Sequence, residues 1–177
     1  MQQSIKTPPR TIMEVFQMLP EGTLAELING SIYMSPAPST EHQRIIRELA
    51  FILSSFVKQK KIGEIFFAPY DIYLDEHSNA VQPDIIFIGT RNKDIIKKQN
   101  VQGVPDMLIE ILSLGNSNHD LILKKELYQK FGVQEYWIIN PETRETSGFT
   151  LKDGKYISIG QFSGKILSTL LNSDFSF

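Results

Sequence analysis

Residues 107–112 read MLIEIL, an apolar run broken by a single carboxylate, Glu110. Met107, Ile109 and Ile111 alternate with Leu108 and Leu112, so both faces of the segment are apolar, as in a central strand covered on both sides. Two further runs of this kind flank it, DIIFIG at 84–89 and EYWII at 135–139. The three form the expected centre of a sheet.

Helical spacing appears on either side. Ile45, Ile46, Leu49, Ile52, Leu53 and Phe56 recur on one face of a segment of roughly 40–61. Ser39 and Thr40 are available to cap its start. Lys58, Lys60 and Lys61 complement its dipole, and Gly63 fits its stop. A second helix is expected over about 118–131, closed by Gly132. Upstream, Asn29-Gly30 separates two short apolar runs and predicts a hairpin over 24–34 with a type I′ turn. Thr11 and Glu14 have capping-box spacing. They open a short helix whose face is read as Ile12, Val15, Phe16 and Leu19, with Pro20 as its stop. Segments 64–68 and 70–74 read as one interrupted strand or a bent pair. Residues 90–104 are polar, with one helical turn. The tail reads as a hairpin around Asp153-Gly154 and a short helical segment near 165–171.

This order predicts an α/β or α+β fold, a central mixed sheet flanked by helices with an N-terminal helix and hairpin. Residues 1–177 are expected to form a single domain, with 1–10 as a loose arm.

Composition bounds the chemistry. The chain has 177 residues, no cysteine and three histidines. Disulfides, thiolate metal sites and a cysteine nucleophile are excluded, and any metal site must use carboxylates, which suit Mg²⁺ or Mn²⁺. The net charge of −2 gives no global basic field. No apolar run is long enough to span a membrane, and the N-terminus lacks the apolar segment of a signal peptide. A cytoplasmic location is expected.

The chemistry-bearing residues are the acids inside apolar strands. Asp84 heads DIIFI, Glu110 sits within MLIEIL, and Glu26 lies in the first strand of the hairpin. A carboxylate is costly to bury unless it is paired or binds a cation, and two on neighbouring strands raise one another's pKa. Each also has a plainer reading: Asp84 as a turn residue, Glu110 on a solvated strand face, and Glu26 as an outward residue of an amphipathic hairpin. Asp120, Lys124 and Tyr128 share one stripe of the following helix, either as a solvated face with an Asp–Lys pair or with its N-terminal half pointing back to the strand ends, toward Asp84 and Glu110.

Five segments carry a resemblance: ELINGSIYMSPAPSTEHQRII at 26–46, APYDIYLD at 68–75, QPDIIFI at 82–88, PDMLIEILS at 105–113 and DLILKKELYQKFGVQEYWIINP at 120–141. Their order and spacing resemble the Uma2 family, a branch of the PD-(D/E)XK nuclease superfamily. The resemblance implies a restriction-endonuclease-like core and a Mg²⁺- or Mn²⁺-dependent endodeoxyribonuclease. Asp84 and Glu110 would be the metal ligands, aided by the Ile111 carbonyl, and Glu26 would complete the metal shell or orient the attacking water. The superfamily lysine expected two residues after Glu110 is replaced by Leu112. The resemblance implies that this role has moved to Lys124, with Lys125 as the competitor. The loop at 113–119 also departs from the family, with Leu114, Gly115 and Asn116. His42 matches a recurring family position. Double-stranded DNA is the implied partner and a homodimer the implied assembly. The alternative is an inactive nuclease fold used for binding or assembly.

Overall fold

The computed structural model describes residues 8–113 and 117–177, with side chains for all of these except 117–120. In chain order the helices are α1 (Ile12–Gln17), α2 (Thr40–Lys60) and α3 (Ser117–Phe131). The strands are β1 (Ala25–Ile28), β2 (Ser31–Met34), β3 (Gly63–Phe67), β4 (Ile72–Tyr73), β5 (Ala80–Val81), β6 (Ile85–Gly89), β7 (Val101–Gln102), β8 (Met107–Ile111), β9 (Glu135–Ile139), β10 (Glu145–Lys152), β11 (Lys155–Ser163), β12 (Lys165–Ser168) and β13 (Ser173–Ser176). A 3₁₀ turn occupies Thr90–Ile95.

The main sheet has six strands in the order β11-β10-β9-β8-β6-β3. It is mixed: β8 and β9 run parallel, joined through α3, and β6 is antiparallel to β8. All five residues of β8 are buried, and so are all five of β9. Strand alternation sends Ile85, Phe87, Met107, Ile109, Ile111 and Trp137 to one face, where α2 covers them with Ile45, Leu49 and Leu53. Ile86, Ile88, Leu108, Tyr136 and Ile138 go to the other face, beside Leu127 and Tyr128 of α3.

Both predicted caps form. The Thr11 side chain accepts from Glu14 N–H, and the Ser39 side chain accepts from His42 N–H. The β1–β2 turn has positive φ at Asn29 and Gly30, as a type I′ turn requires. This hairpin is part of a second sheet, ordered β2-β1-β5-β4-β7. Among the described residues, no helix is long and apolar enough to cross a membrane.

Four local readings are corrected. Segments 64–68 and 70–74 do not form one strand: β3 pairs with β6 in the main sheet, whereas β4 pairs with β5 and β7 in the second. Pro69 between them has no N–H and cannot continue a ladder. Segment 165–171 is not helical. Ile166 pairs with Phe175, and burial of Ile166 and Ser168 with exposure of Leu167 has the period of a strand. In α1 the buried residues are Met13 and Phe16, while Ile12 and Val15 are exposed. Lys61 rather than Gly63 caps α2, in the left-handed conformation. Gly63 instead permits close approach in β3, since a Cβ there would lie 2.2 Å from the Ile88 carbonyl oxygen.

Candidate active site

Asp84 immediately precedes β6. The β6–β8 register pairs Ile85 with Ile109 and Ile86 with Leu108. Continuing it by one residue sets Asp84 opposite Glu110, on the sheet face that α3 covers. The two acids therefore meet where β6 begins and β8 ends. The N-terminus of α2 brings His42 there, β1 brings Glu26 and α3 brings Lys124. All five side chains are buried, yet all line a cleft of about 150 Å³.

Hydrogen bonds fix one edge of each carboxylate. Asp84 Oδ2 accepts from Ile111 N–H at 2.7 Å, and His42 Nε2 lies 3.3 Å from the same oxygen. Nε2 is also 3.1 Å from the Ile111 carbonyl oxygen. Both neighbours are acceptors, so Nε2 carries the hydrogen. His42 Nδ1 is buried with no partner among the described residues. Glu110 Oε1 accepts from Lys124 Nζ at 3.0 Å and from the Tyr128 hydroxyl at 2.7 Å. Glu26 Oε2 pairs with Lys124 Nζ at 2.8 Å, and Glu26 Oε1 accepts from Gln82 N–H at 2.9 Å. Asp84 Oδ1 and Glu110 Oε2 have no partner among the described residues.

Three carboxylates thus share the cleft with one ammonium, which pairs with two of them, Glu26 and Glu110. Burial pushes the Glu110 carboxyl up to about 8; Glu26 and Asp84 add to the rise, and Lys124 and Tyr128 oppose it. Burial works against the Lys124 charge, but Glu110 and Glu26 hold its pKa above the ordinary lysine value. Burial likewise lowers the His42 pKa, while Asp84 and the Ile111 carbonyl raise it more, for a net rise. The Tyr128 hydroxyl, driven far above the usual phenol range by burial and the nearby carboxylates, remains a donor.

Among the described residues no group of three or more His, Asp or Glu side chains is gathered closely enough to hold a metal. The donors that remain are Asp84 Oδ1, Glu110 Oε2 and the second lone pair of the Ile111 carbonyl. Two carboxylate oxygens and a carbonyl, with room for water, fit Mg²⁺ or Mn²⁺, which keep several waters. Each Glu26 oxygen already accepts one hydrogen bond, which leaves Glu26 less open to a metal than Asp84 and Glu110.

The arrangement separates the two lysines. Lys124 lies between Glu26 and Glu110, whereas Lys125 Nζ sits 3.7 Å above the Phe149 ring. The Asp120 side chain and Leu114, Gly115 and Asn116 lie outside the described residues. Sequence reasoning did not assign the contacts of Gln82 and Tyr128. Gln82 acts through its backbone N–H, which leaves no side-chain signature. Tyr128 is one helical turn beyond Lys124, a spacing that could have linked both to Glu110.

A model of the Uma2 family, described as "Putative restriction endonuclease", matches residues 13–173. The chain belongs to the Uma2 family. Its fold is also that of a crystal structure from Anabaena variabilis described as "a putative nuclease belonging to DUF820", with a TM-score of 0.69 and 23% identity over 85% of this chain and 84% of that one. No curated protein matches the chain. Membership of Uma2 supports a nuclease, and Asp84, Glu110 and Lys124 line one cleft.

Proposed function

We propose that the chain is a divalent-metal-dependent endonuclease that hydrolyses phosphodiester bonds of double-stranded DNA. The observation that carries this reading is the pair of acids Asp84 and Glu110, set opposite each other in a cleft that Lys124 also lines, with partners among the described residues on one oxygen of each. Asp84 Oδ1, Glu110 Oε2 and the Ile111 carbonyl would hold Mg²⁺ or Mn²⁺. When bound, such a cation polarises a phosphoryl oxygen and lowers the pKa of water.

The protein's own residues supply the rest. Lys124 positions the attacking water and stabilises the charge that develops on the pentacovalent phosphorus. Glu26, anchored by Gln82 N–H, holds Lys124 at the cleft and would complete the metal shell or orient the water. His42 fixes Asp84 Oδ2 and leaves Oδ1 for the cation. Cutting both strands of a duplex takes two such sites, and a two-fold dimer of single-domain chains supplies them.

Incubation with supercoiled plasmid and Mg²⁺ or Mn²⁺ tests this. The wild type should nick and linearise the DNA, and Asp84→Ala should not. Equal cleavage by both would assign the activity elsewhere. A second reading, an inactive nuclease fold used for binding, is favoured by one observation. Lys124 is the only Lys or Arg among the described residues lining the cleft, and it is already paired with two carboxylates. Mn²⁺ binding without cleavage by the wild type would select that reading.

A further inference from the structure

Glu110 receives two donors on the same oxygen, and they differ in kind. Lys124 is a charge on a flexible four-carbon stem, shared with Glu26. Tyr128 is a neutral hydroxyl whose place is set by packing. It is fully buried, and its ring meets Tyr136 edge-on at 5.1 Å. Tyr136 in turn stacks on Phe149 and Tyr156. Tyr128 does not line the cleft, so it touches neither substrate nor solvent there.

The ammonium has three hydrogens, so its hold on Glu110 is divided with Glu26 and with substrate. Tyr128 is the donor that Glu110 shares with no other acid. A carboxylate freed from both would rotate about its last torsion, which is broad and roughly two-fold, and exchange its oxygens. We propose that Tyr128 is the positioning residue of this site: its hydroxyl holds Oε1 so that Oε2 stays available to the cleft whichever neighbour Lys124 serves. This rests on the metal-dependent reading given above.

The test uses the full chain, Mn²⁺ titration by calorimetry and thermal unfolding in chelator. Tyr128→Phe should weaken Mn²⁺ binding about ten-fold or more, the usual effect of removing a partner behind a metal ligand. Tyr156→Phe is the control. Its hydroxyl bonds the Val133 carbonyl at 3.0 Å in the same aromatic stack, and its loss should leave Mn²⁺ affinity unchanged. Wild-type affinity in Tyr128→Phe, or an equal loss in Tyr156→Phe, overturns the proposal. If the wild type binds no Mn²⁺, the metal-dependent reading fails first, which is a different result. Should Tyr128→Phe not fold, a Mn²⁺-soaked crystal of the wild type decides. Metal on Oε2 with Tyr128 still on Oε1 supports the role, and metal on Oε1 with Tyr128 displaced overturns it.

Discussion

Glu110 and Glu135 lie on neighbouring parallel strands, each a lone acid in a buried five-residue segment. In sequence they are alike; in space they face opposite ways. The β8–β9 register pairs Glu135 with Met107 and Glu110 with Ile138, which sends Glu135 to the α2 face and Glu110 to the α3 face. Glu135 is fully buried, and both its oxygens accept from neutral donors: Trp137 Nε1 at 2.8 Å, the Thr169 hydroxyl at 2.7 Å and Leu170 N–H at 2.8 Å. It ties the tail to the sheet. Glu110 is held on one oxygen only, close to two other carboxylates and a lysine, with a cleft beside it. An acid in a buried strand is therefore no sign of chemistry by itself. A carboxylate oxygen left without a donor, beside further negative charge and space, is the feature that marks Glu110.

The sharpest way to break this contrast is Lys124→Ala. It leaves Glu26 and Glu110 buried without their cation, which should lower metal-free stability by roughly 3–5 kcal/mol. Plasmid cleavage should fall at least ~100-fold, the scale of losing one preorganised charge partner. Mn²⁺ binding should survive, because Lys124 supplies no ligand. Urea unfolding in chelator, Mn²⁺ titration and a cleavage assay measure the three. Loss of Mn²⁺ affinity would place the lysine among the groups that build the metal site.

Glu135→Leu should act on stability alone. It strands the buried Trp137 indole N–H, at roughly 1–3 kcal/mol for an unsatisfied buried donor, and the half-buried Leu170 N–H at less. Mn²⁺ affinity should match the wild type. A variant that folds yet loses metal binding would erase the distinction between the two glutamates.

The smallest effect is one of pH. Burial pushes the Glu110 carboxyl up to about 8 in the folded protein, against 4.5 for an ordinary glutamate. Between those values the folded chain keeps a proton that the unfolded chain has released. Metal-free stability from this group is thus full below about 4.5, falls as pH rises and levels off above about 8. Glu110→Gln should lack that part of the fall and keep only the part from His42, whose raised pKa acts in the same direction; at pH 9 it should be at least as stable as the wild type while binding no Mn²⁺. Urea midpoints at pH 5 and pH 9 in chelator give the comparison. The same slope in both proteins would assign it to another group.

Much of this was legible along the chain. Capping at Thr11 and Ser39, the Asn29-Gly30 turn, the helical stripe of α2 and the three apolar strands are all set by residues within a few positions of one another. The candidate acids were equally visible, since Asp84, Glu26 and Glu110 each break a local apolar pattern. Local pattern misled where the deciding partner is distant. Ile166 became a strand residue because Phe175 pairs with it, and residues 64–74 split because their ladders lead to different sheets. The choice of Lys124 over Lys125 depends on which side of α3 meets the sheet, and Glu26 joins the site because a strand of the second sheet ends beside it. Residue type and spacing determined which elements form and which acids stand out in apolar strands. Only tertiary structure decided which acid faces the cleft and which oxygen stays free, because strand register and helix rotation are settled by contacts between residues far apart in the chain.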